Sequence, residues 1–221
     1  KIMEDHILNY YSKYQELKYD IQSMKVQSVI TQGESELTAT DGIRTSLRLG
    51  DSALIVGEVR SKEAVALYEA MRVGALANVV MGTIHGDSPY SIYDRVVNDL
   101  GVPKTSFKAT DIIIISNQVK SASGIGTLRR VLQISEVRKE WEDDPLRDHG
   151  FVALMVYNPV TDTLEPTDAL IQGESVVLKS IASRIAEWAG DWDAVWENIL
   201  MRAKIKEKLV ELGQEKPEIM E

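Results

Sequence analysis

Two short apolar runs frame a helical pattern in the first half of the chain. Residues 52–57 and 79–83 are apolar runs of strand length, and the segment between them repeats apolar side chains at helical spacing, at Val65, Tyr68 and Met71. A right-handed crossover through a helix joins strands that lie parallel and close together. The pattern therefore predicts a βαβ unit built from these two strands.

Capping residues mark the starts of the predicted helices. Ser61 is placed to cap the first helix, and Asp87 or Ser88 caps the next, with Pro89 in its first turn. A glycine and a proline follow the end of that second helix, and the run DIIIIS comes next, at residues 111–116. Four isoleucines in succession predict a strand that is covered on both faces, as in a parallel sheet.

The remaining pattern predicts elements at both ends of the chain. An alternating stretch near the start predicts a strand at residues 24–31. After residue 128 two alternating segments, 128–137 and 151–166, predict antiparallel strands with a turn near 158–162. Helical periodicity then predicts two helices, at 174–188 and 192–212. The predicted fold class is α/β, with a mostly parallel sheet followed by an antiparallel hairpin and helices.

Composition and charge narrow the range of functions. The chain has 221 residues, 44% of them hydrophobic, and it has no cysteine, so thiolate metal sites and cysteine nucleophiles are excluded. A net charge of -9 argues against a nucleic-acid partner. The sequence contains no apolar run of the roughly 18 to 20 residues that span a bilayer and no leader pattern, so we expect no transmembrane segment and a cytoplasmic location.

Polar side chains that can do chemistry follow both strands of the βαβ unit. Glu58 and Arg60 come after the first strand, and Thr83 and His85 come after the second. Ligands bind outside the carboxyl ends of parallel strands, so these side chains are expected to converge on one crevice. A strand that ends in a carboxylate is also how phosphate-transferring ATPases place an acidic group beside Mg²⁺ and water. Taken singly, a solvated strand-end carboxylate and a hydrogen-bonded loop histidine are the commoner outcomes.

Longer stretches around these residues resemble a known family. LRLGDSALIVGEVRSKEAVALYEAMRVGA and VVMGTIHGDSPYSIYDRVVNDLGVP are similar to the second half of the ATPases that power type II secretion, type IV pili and the archaeal swimming filament. The archaeal branch fits best, and RRVLQISEVRKEWEDDP and GFVALMVYNPVTDTLEPTDALIQGES extend the likeness over nearly the whole chain. The resemblance implies a Walker B element at Gly57 and Glu58, a histidine box at Thr83 and His85, and an aspartate box at Glu4 and Asp5.

One motif of that family is missing from the sequence. The family holds the β and γ phosphates of ATP with a loop of the form G-x-x-x-x-G-K-[ST], and no such loop occurs here. The stretch SASGIGTLRR lacks the Lys-[ST] pair and is expected to be a hairpin-like loop. We therefore expect a fragment of a longer ATPase, inactive alone. The resemblance divides it into residues 1–139, part of a RecA-like ATPase domain, and residues 140–221, a hairpin and helical subdomain.

The resemblance also implies roles for the candidate residues. Glu58 polarises the attacking water or holds hydrated Mg²⁺, and Arg60 reaches the γ phosphate of ATP or a carboxylate of the next subunit. Arg44 and Arg48 are four residues apart and share a helix face if residues 41–50 are helical, as arginines that contact nucleotide across a subunit boundary do. The alternative for this arginine pair is a solvated or salt-bridged surface. The histidine box senses the γ phosphate and couples it to movement.

Partners follow from the resemblance as well. It implies a homohexameric ring, an integral-membrane platform protein, and a location at the inner face of the cell membrane. Two other functions remain open: a nucleic-acid translocating ATPase of the conjugation type, which predicts a basic pore surface, and a noncatalytic assembly module, in which the polar residues are relics.

Overall fold

A computed structural model describes residues 38–49, 53–73, 79–120 and 126–216 of the chain. The helices are α1 (Ala39–Leu49), α2 (Glu63–Val73), α3 (Pro89–Asp94), α4 (Lys104–Phe107), α5 (Asp168–Ile171), α6 (Val176–Ala182) and α7 (Trp192–Glu215), and a π-helical segment, Arg95–Asp99, continues α3. The strands are β1 (Ala53–Val56), β2 (Val79–Gly82), β3 (Ile112–Lys120), β4 (Thr127–Val137), β5 (Phe151–Asn158) and β6 (Thr163–Pro166). The strand predicted at 24–31 lies outside the described residues. One compact unit comprises Ala39–Trp192, and the rest of α7 belongs to a second unit.

The predicted βαβ unit is present. β1 and β2 pair in parallel, with Ala53 opposite Val79 and Val56 opposite Gly82, and α2 lies between them in the chain. Alternation places Leu54, Val56 and Val80 against the core, whereas Ile55, Val79 and Met81 are exposed on the other face. The two carboxyl ends therefore lie side by side at one edge, because the strands are parallel.

Aromatic side chains build the core beneath this pair. Tyr93 packs edge to face against Phe107 and Trp141, with ring centroids 5.1 and 5.5 Å apart, and all three are buried. α2 contributes Ala64, Leu67 and Tyr68 to the same core, while Val65 and Met71 of the predicted stripe are only half-buried. The helix was predicted correctly, and its buried face is rotated slightly from the expected one.

The prediction of a mostly parallel sheet is wrong for the described residues. β3, β4, β5 and β6 form an antiparallel sheet in that order, and only β1 and β2 are parallel. β3 and β4 are separated by residues 121–126 alone, which is too short for the crossover of a dozen or more residues that parallel neighbours need. The antiparallel strands predicted after residue 128, with their turn, are confirmed.

The isoleucine run was expected to be covered on both faces, and it is not. Ile113 and Ile115 of β3 are buried, but Ile112 and Ile114 are 36% and 59% exposed. β3 thus alternates like a strand with one face on a core. The predicted division into two domains at residues 139 and 140 stays a prediction, and it falls between β4 and β5, which pair directly.

A buried carboxylate joins the antiparallel sheet to α6. Glu136 of β4 is 1% exposed and accepts hydrogen bonds from the Ser175 hydroxyl at 2.5 Å and from the Val176 N–H at 3.0 Å. Arg138 completes the cluster, with its Nη1 3.0 Å from Glu136 Oε1 and its Nη2 donating to the Glu174 carbonyl. Every polar group at this junction has a partner, which is what burial of a charge requires.

The C-terminal helices are interrupted differently from the prediction. The helix predicted at 174–188 extends only from Val176 to Ala182, where Ser175 caps its start. Gly190 has a φ of +84°, a left-handed conformation that suits glycine and precedes the start of α7. Among the described residues no helix combines the length and the apolar character that crossing a membrane requires.

Candidate functional site

The segments that follow β1 and β2 remain hydrogen-bonded to each other past the ends of the strands. The Val59 N–H donates to the Thr83 carbonyl at 2.8 Å, and the Thr83 hydroxyl donates to the Gly57 carbonyl at 2.5 Å. The Val59 side chain is buried in the core. Its neighbours Glu58 and Arg60 stay accessible, at 28% and 66% exposed. The core thus anchors the backbone and leaves these two polar side chains at the surface.

Three of the predicted site residues are in direct contact. The Arg60 guanidinium donates from Nη2 to Glu58 Oε2. The His85 imidazole Nε2 lies 3.2 Å from the other oxygen, Glu58 Oε1. Each oxygen of one carboxylate therefore has its own nitrogen partner, one from each strand end. We call Glu58, Arg60 and His85 the strand-end cluster.

The ion pair between Glu58 and Arg60 shifts the pKa of both groups. The hydrogen bond from Arg60, together with the charges of Arg60 and His85, lowers the pKa of Glu58 below its ordinary 4.5. The same hydrogen bond raises the pKa of Arg60. Glu58 is therefore ionised at neutral pH, and solvent reaches all three side chains. An accessible ion pair of this kind is weak enough to exchange partners when another charged group arrives.

A fourth residue holds the loop between β1 and α2, and the sequence analysis missed it. Glu63, at the start of α2, is buried, and its Oε1 accepts the N–H groups of Arg60 at 2.7 Å and Ser61 at 2.9 Å. The Ser61 hydroxyl donates to its other oxygen, Oε2. Ser61 was predicted to cap the helix, but its hydroxyl donates to the Glu63 carboxylate instead. The available signal was an acidic residue in the first turn, which many helices share.

The segment that carries His85 is fixed by the start of α3. Ser88 caps this helix, confirming one of the two predicted caps, and forms a reciprocal capping box with Ser91. The Ser91 hydroxyl also accepts the Asp87 N–H at 3.0 Å. Between these bonds and His85, the Gly86 backbone passes so close to Ile92 that a Cβ would lie 2.2 Å from its Cδ1. The strand end and the helix start therefore hold the loop between them.

The other predicted site residues fall elsewhere. α1 is helical as expected, and Arg44 is exposed on it. Arg48 lies in the same helix, and its side chain is outside the described set. Glu4 and Asp5 also lie outside the described residues. A Cβ added at Gly57 would meet no atom within 4 Å, so packing in the described chain does not require glycine there.

The strand-end cluster offers a metal ion one carboxylate, that of Glu58. Within the described ranges no three His, Asp or Glu side chains are grouped as a metal centre. Mg²⁺ takes oxygen ligands and keeps several waters, commonly beside one or two carboxylates. Glu58 fits that role as a single oxygen donor, through water.

The fold and the cluster define an α/β protein with a carboxylate, a guanidinium and an imidazole at the carboxyl ends of parallel strands. The sequence model of the family described as "Type II/IV secretion system protein" matches residues 16–133. This chain belongs to the type II/IV secretion system protein family.

Two relatives have been found in Methanocaldococcus jannaschii. Uncharacterized protein MJ1287 is 33% identical over 159 residues, covering 71% of this chain and 53% of the relative. Uncharacterized protein MJ0900 is 27% identical over 180 residues, covering 80% of this chain and 30% of the relative. The chain thus spans about half of the first relative and less than a third of the second.

Proposed function

We propose that these residues belong to an ATP-hydrolysing motor that powers a type II secretion or type IV pilus-like machine. The observation that carries the proposal is the strand-end cluster, in a chain of this family. A carboxylate at the end of a parallel strand is suited to phosphoryl transfer, where catalysis consists mainly of positioning and charge stabilisation. The proposed domain is a RecA-like core, of the archaeal branch, and both relatives come from an archaeon.

In this proposal Glu58 orients the attacking water or holds a hydrated Mg²⁺. The metal, when bound, neutralises charge that develops on the phosphoryl oxygens. Arg60 begins paired with Glu58 and is 66% exposed. An incoming phosphate competes for the Arg60 guanidinium, and the carboxylate is then free to accept a hydrogen bond from water. Pairing in the resting state keeps both groups ionised and in place.

Thr83 and His85 link the same event to the second strand. The Thr83 hydroxyl is bonded to the Gly57 carbonyl, and His85 contacts Glu58. A movement of Glu58 caused by a change at the γ phosphate would therefore displace the end of β2 as well, through the His85–Glu58 and Thr83–Gly57 contacts. We assign Thr83 and His85 to sensing the γ phosphate, and Gly57 to close approach of the nucleotide.

The proposed motor requires parts beyond the strand-end cluster. ATP binding needs a phosphate loop, which these 221 residues lack, so the activity is proposed for a longer polypeptide. Glu4 and Asp5 are proposed to complete the nucleotide site as an aspartate box. Arg44, Arg48 and Arg60 are proposed donors to the nucleotide across a subunit boundary in a ring of six. The proposed partner is an integral-membrane platform protein, and the proposed location is the cytoplasmic face of the membrane.

Replacing Glu58 by glutamine tests the proposed chemistry. In the complete polypeptide, Glu58→Gln is expected to retain ATP binding and to lower turnover by at least about a hundredfold, because the amide keeps the shape and loses the charge. Turnover is measured by phosphate release, and binding by fluorescence of a labelled ATP analogue. Arg147→Ala, which changes an exposed side chain in the loop before β5, is the control.

Two results would contradict the assignment. Full turnover in Glu58→Gln would remove Glu58 from the chemistry, and loss of ATP binding would give it a different role. Stimulation of the wild-type activity by DNA would favour a nucleic-acid translocating motor, which the charge of -9 disfavours. Absence of any hydrolysis in the complete polypeptide would favour a noncatalytic assembly module.

A further inference from the structure

The buried carboxylate of Glu63 accepts hydrogen bonds from residues that precede it in the chain. It is 8% exposed, and its oxygens accept the N–H groups of Arg60 and Ser61 together with the Ser61 hydroxyl. A helix cap normally accepts N–H groups of the helix it begins. Two of the N–H groups bound to Glu63 instead belong to the loop that carries Glu58 and Arg60.

The loop is therefore held at two points on either side of Arg60. Before it, the buried Val59 side chain and the bond from the Val59 N–H to Thr83 fix the backbone to the core and to β2. After it, Glu63 fixes the N–H groups of residues 60 and 61. The Arg60 side chain is itself 66% exposed, so the direction of its guanidinium depends mainly on the backbone that carries it.

We propose that Glu63 is a positioning residue that sets the Arg60 guanidinium against Glu58. The carboxylate suits this task because it is charged and nearly dry. Burial by itself raises the pKa of Glu63, but the hydrogen bonds from Ser61 and from backbone N–H groups bring it below its ordinary 4.5. Hydrogen bonds to an ionised acceptor are stronger than neutral ones, so they restrain the loop more tightly.

The first test needs no nucleotide and uses NMR on the 221-residue chain. Glu63→Ala is expected to raise amide exchange at Arg60 and Ser61 by about tenfold, the equivalent of one lost charge-assisted bond to each. The hindered guanidinium signal of Arg60 is expected to collapse to its freely rotating average. Glu63→Gln is expected to rescue both signals in part, because its neutral amide oxygen accepts the same two N–H groups more weakly.

Two further variants keep the outcome clear. Glu63→Asp retains the charge but is one methylene too short to reach back, so it is expected to reproduce the Glu63→Ala effect with the helix content unchanged. Thr167→Ala removes the cap of α5, away from the strand-end cluster, and is expected to leave both Arg60 signals unchanged. Unchanged Arg60 signals in Glu63→Ala and Glu63→Asp would overturn the proposal, and so would an equal change in Thr167→Ala.

The second test rests on the proposed function and is separable from the first. In the complete motor, Glu63→Ala is expected to lower kcat about tenfold with KM for ATP within about twofold, and Glu63→Gln to restore kcat in part. Loss of the Arg60 NMR signal with unchanged kcat would mean that Glu63 positions the loop but the proposed chemistry is wrong. An effect on KM alone, with the Arg60 signals intact, would overturn the positioning role.

Discussion

Gly86 shows how the packing of one residue constrains the loop that carries His85. The nearest atoms to a Cβ at this position are Cδ1 and Cγ1 of Ile92, at 2.2 and 2.9 Å. Ile92 is a buried core residue in the first helical turns after the loop. The loop therefore lies directly on the core, and a side chain here has no free space to enter.

Gly86→Ala is expected to destabilise the chain by about 1–3 kcal/mol, the usual cost of overpacking a well-packed site. Urea unfolding followed by circular dichroism measures the change. Gly57→Ala is the matched control, because a Cβ at Gly57 meets no atom within 4 Å, and its effect is expected within about 0.5 kcal/mol. Ile92→Val removes Cδ1, so the double variant with Gly86→Ala should lose less than the sum of the two changes. Equal effects of the two glycine substitutions would contradict this account.

At the scale of elements, the turn between β5 and β6 is closed by a charged cluster. Arg130 of β4 donates from Nε and Nη2 to the two oxygens of Asp162, each at 2.7 Å, and the Tyr157 hydroxyl donates to the same carboxylate at 2.8 Å. Asp162 has a φ of +54°, so it also occupies the left-handed position of the turn. Asp162 thus adopts the backbone conformation of the turn, and its side chain links the turn to β4.

This cluster predicts an acid-sensitive contribution to stability. The hydrogen bonds from Arg130 and Tyr157 lower the pKa of Asp162 from 3.8 to about 2. Because the folded-state pKa is the lower one, the contribution is complete above pH 3.8 and is lost as the pH falls through about 2. Asp162→Asn tolerates the left-handed turn and cannot titrate.

The difference in unfolding free energy between wild type and Asp162→Asn is the quantity to measure. It is expected to be constant from pH 7 to about pH 4 and to shrink between about pH 4 and pH 2. Asp111→Asn, at an exposed ion pair with Lys139, is the control for general acid effects. A difference that stays constant down to pH 2 would rule out the role of the Arg130 contact.

Local signals were enough to predict several elements and the pairing of β1 with β2 across one helix, but not the partner of β3. The Ser88 cap, the βαβ unit and the late antiparallel strands follow from neighbouring residues, and all are present. The Ile112–Ile115 run failed because composition alone does not reveal which strand pairs with it or which face a core covers. Glu63 was missed because two of its three hydrogen-bond donors are backbone N–H groups, which carry no sequence signature.

At the scale of the whole molecule, the family relationship leads to a prediction about assembly. A ring of six closes only when each subunit offers two different surfaces, and in the proposed motor the nucleotide would lie between neighbours. The complete motor is expected to form a hexamer, and the 221-residue chain, without a phosphate loop, is expected to be monomeric or weakly associated. Light scattering at micromolar concentration measures both. A stable, nucleotide-independent hexamer of the 221 residues would show that they contain both ring surfaces.

The hydrogen bonds between Glu136 of β4 and the start of α6 affect how these two elements unfold locally. α6 has only the seven residues from Val176 to Ala182, and helices of that length do not persist alone in water. If α6 frayed while β4 stayed paired, Glu136 and Arg138 would lose the hydroxyl, N–H and carbonyl partners that satisfy them. Fraying of the helix alone is therefore costly, and we expect α6 and β4 to open together in one cooperative step. The stability of this short helix therefore depends on its hydrogen bonds to β4.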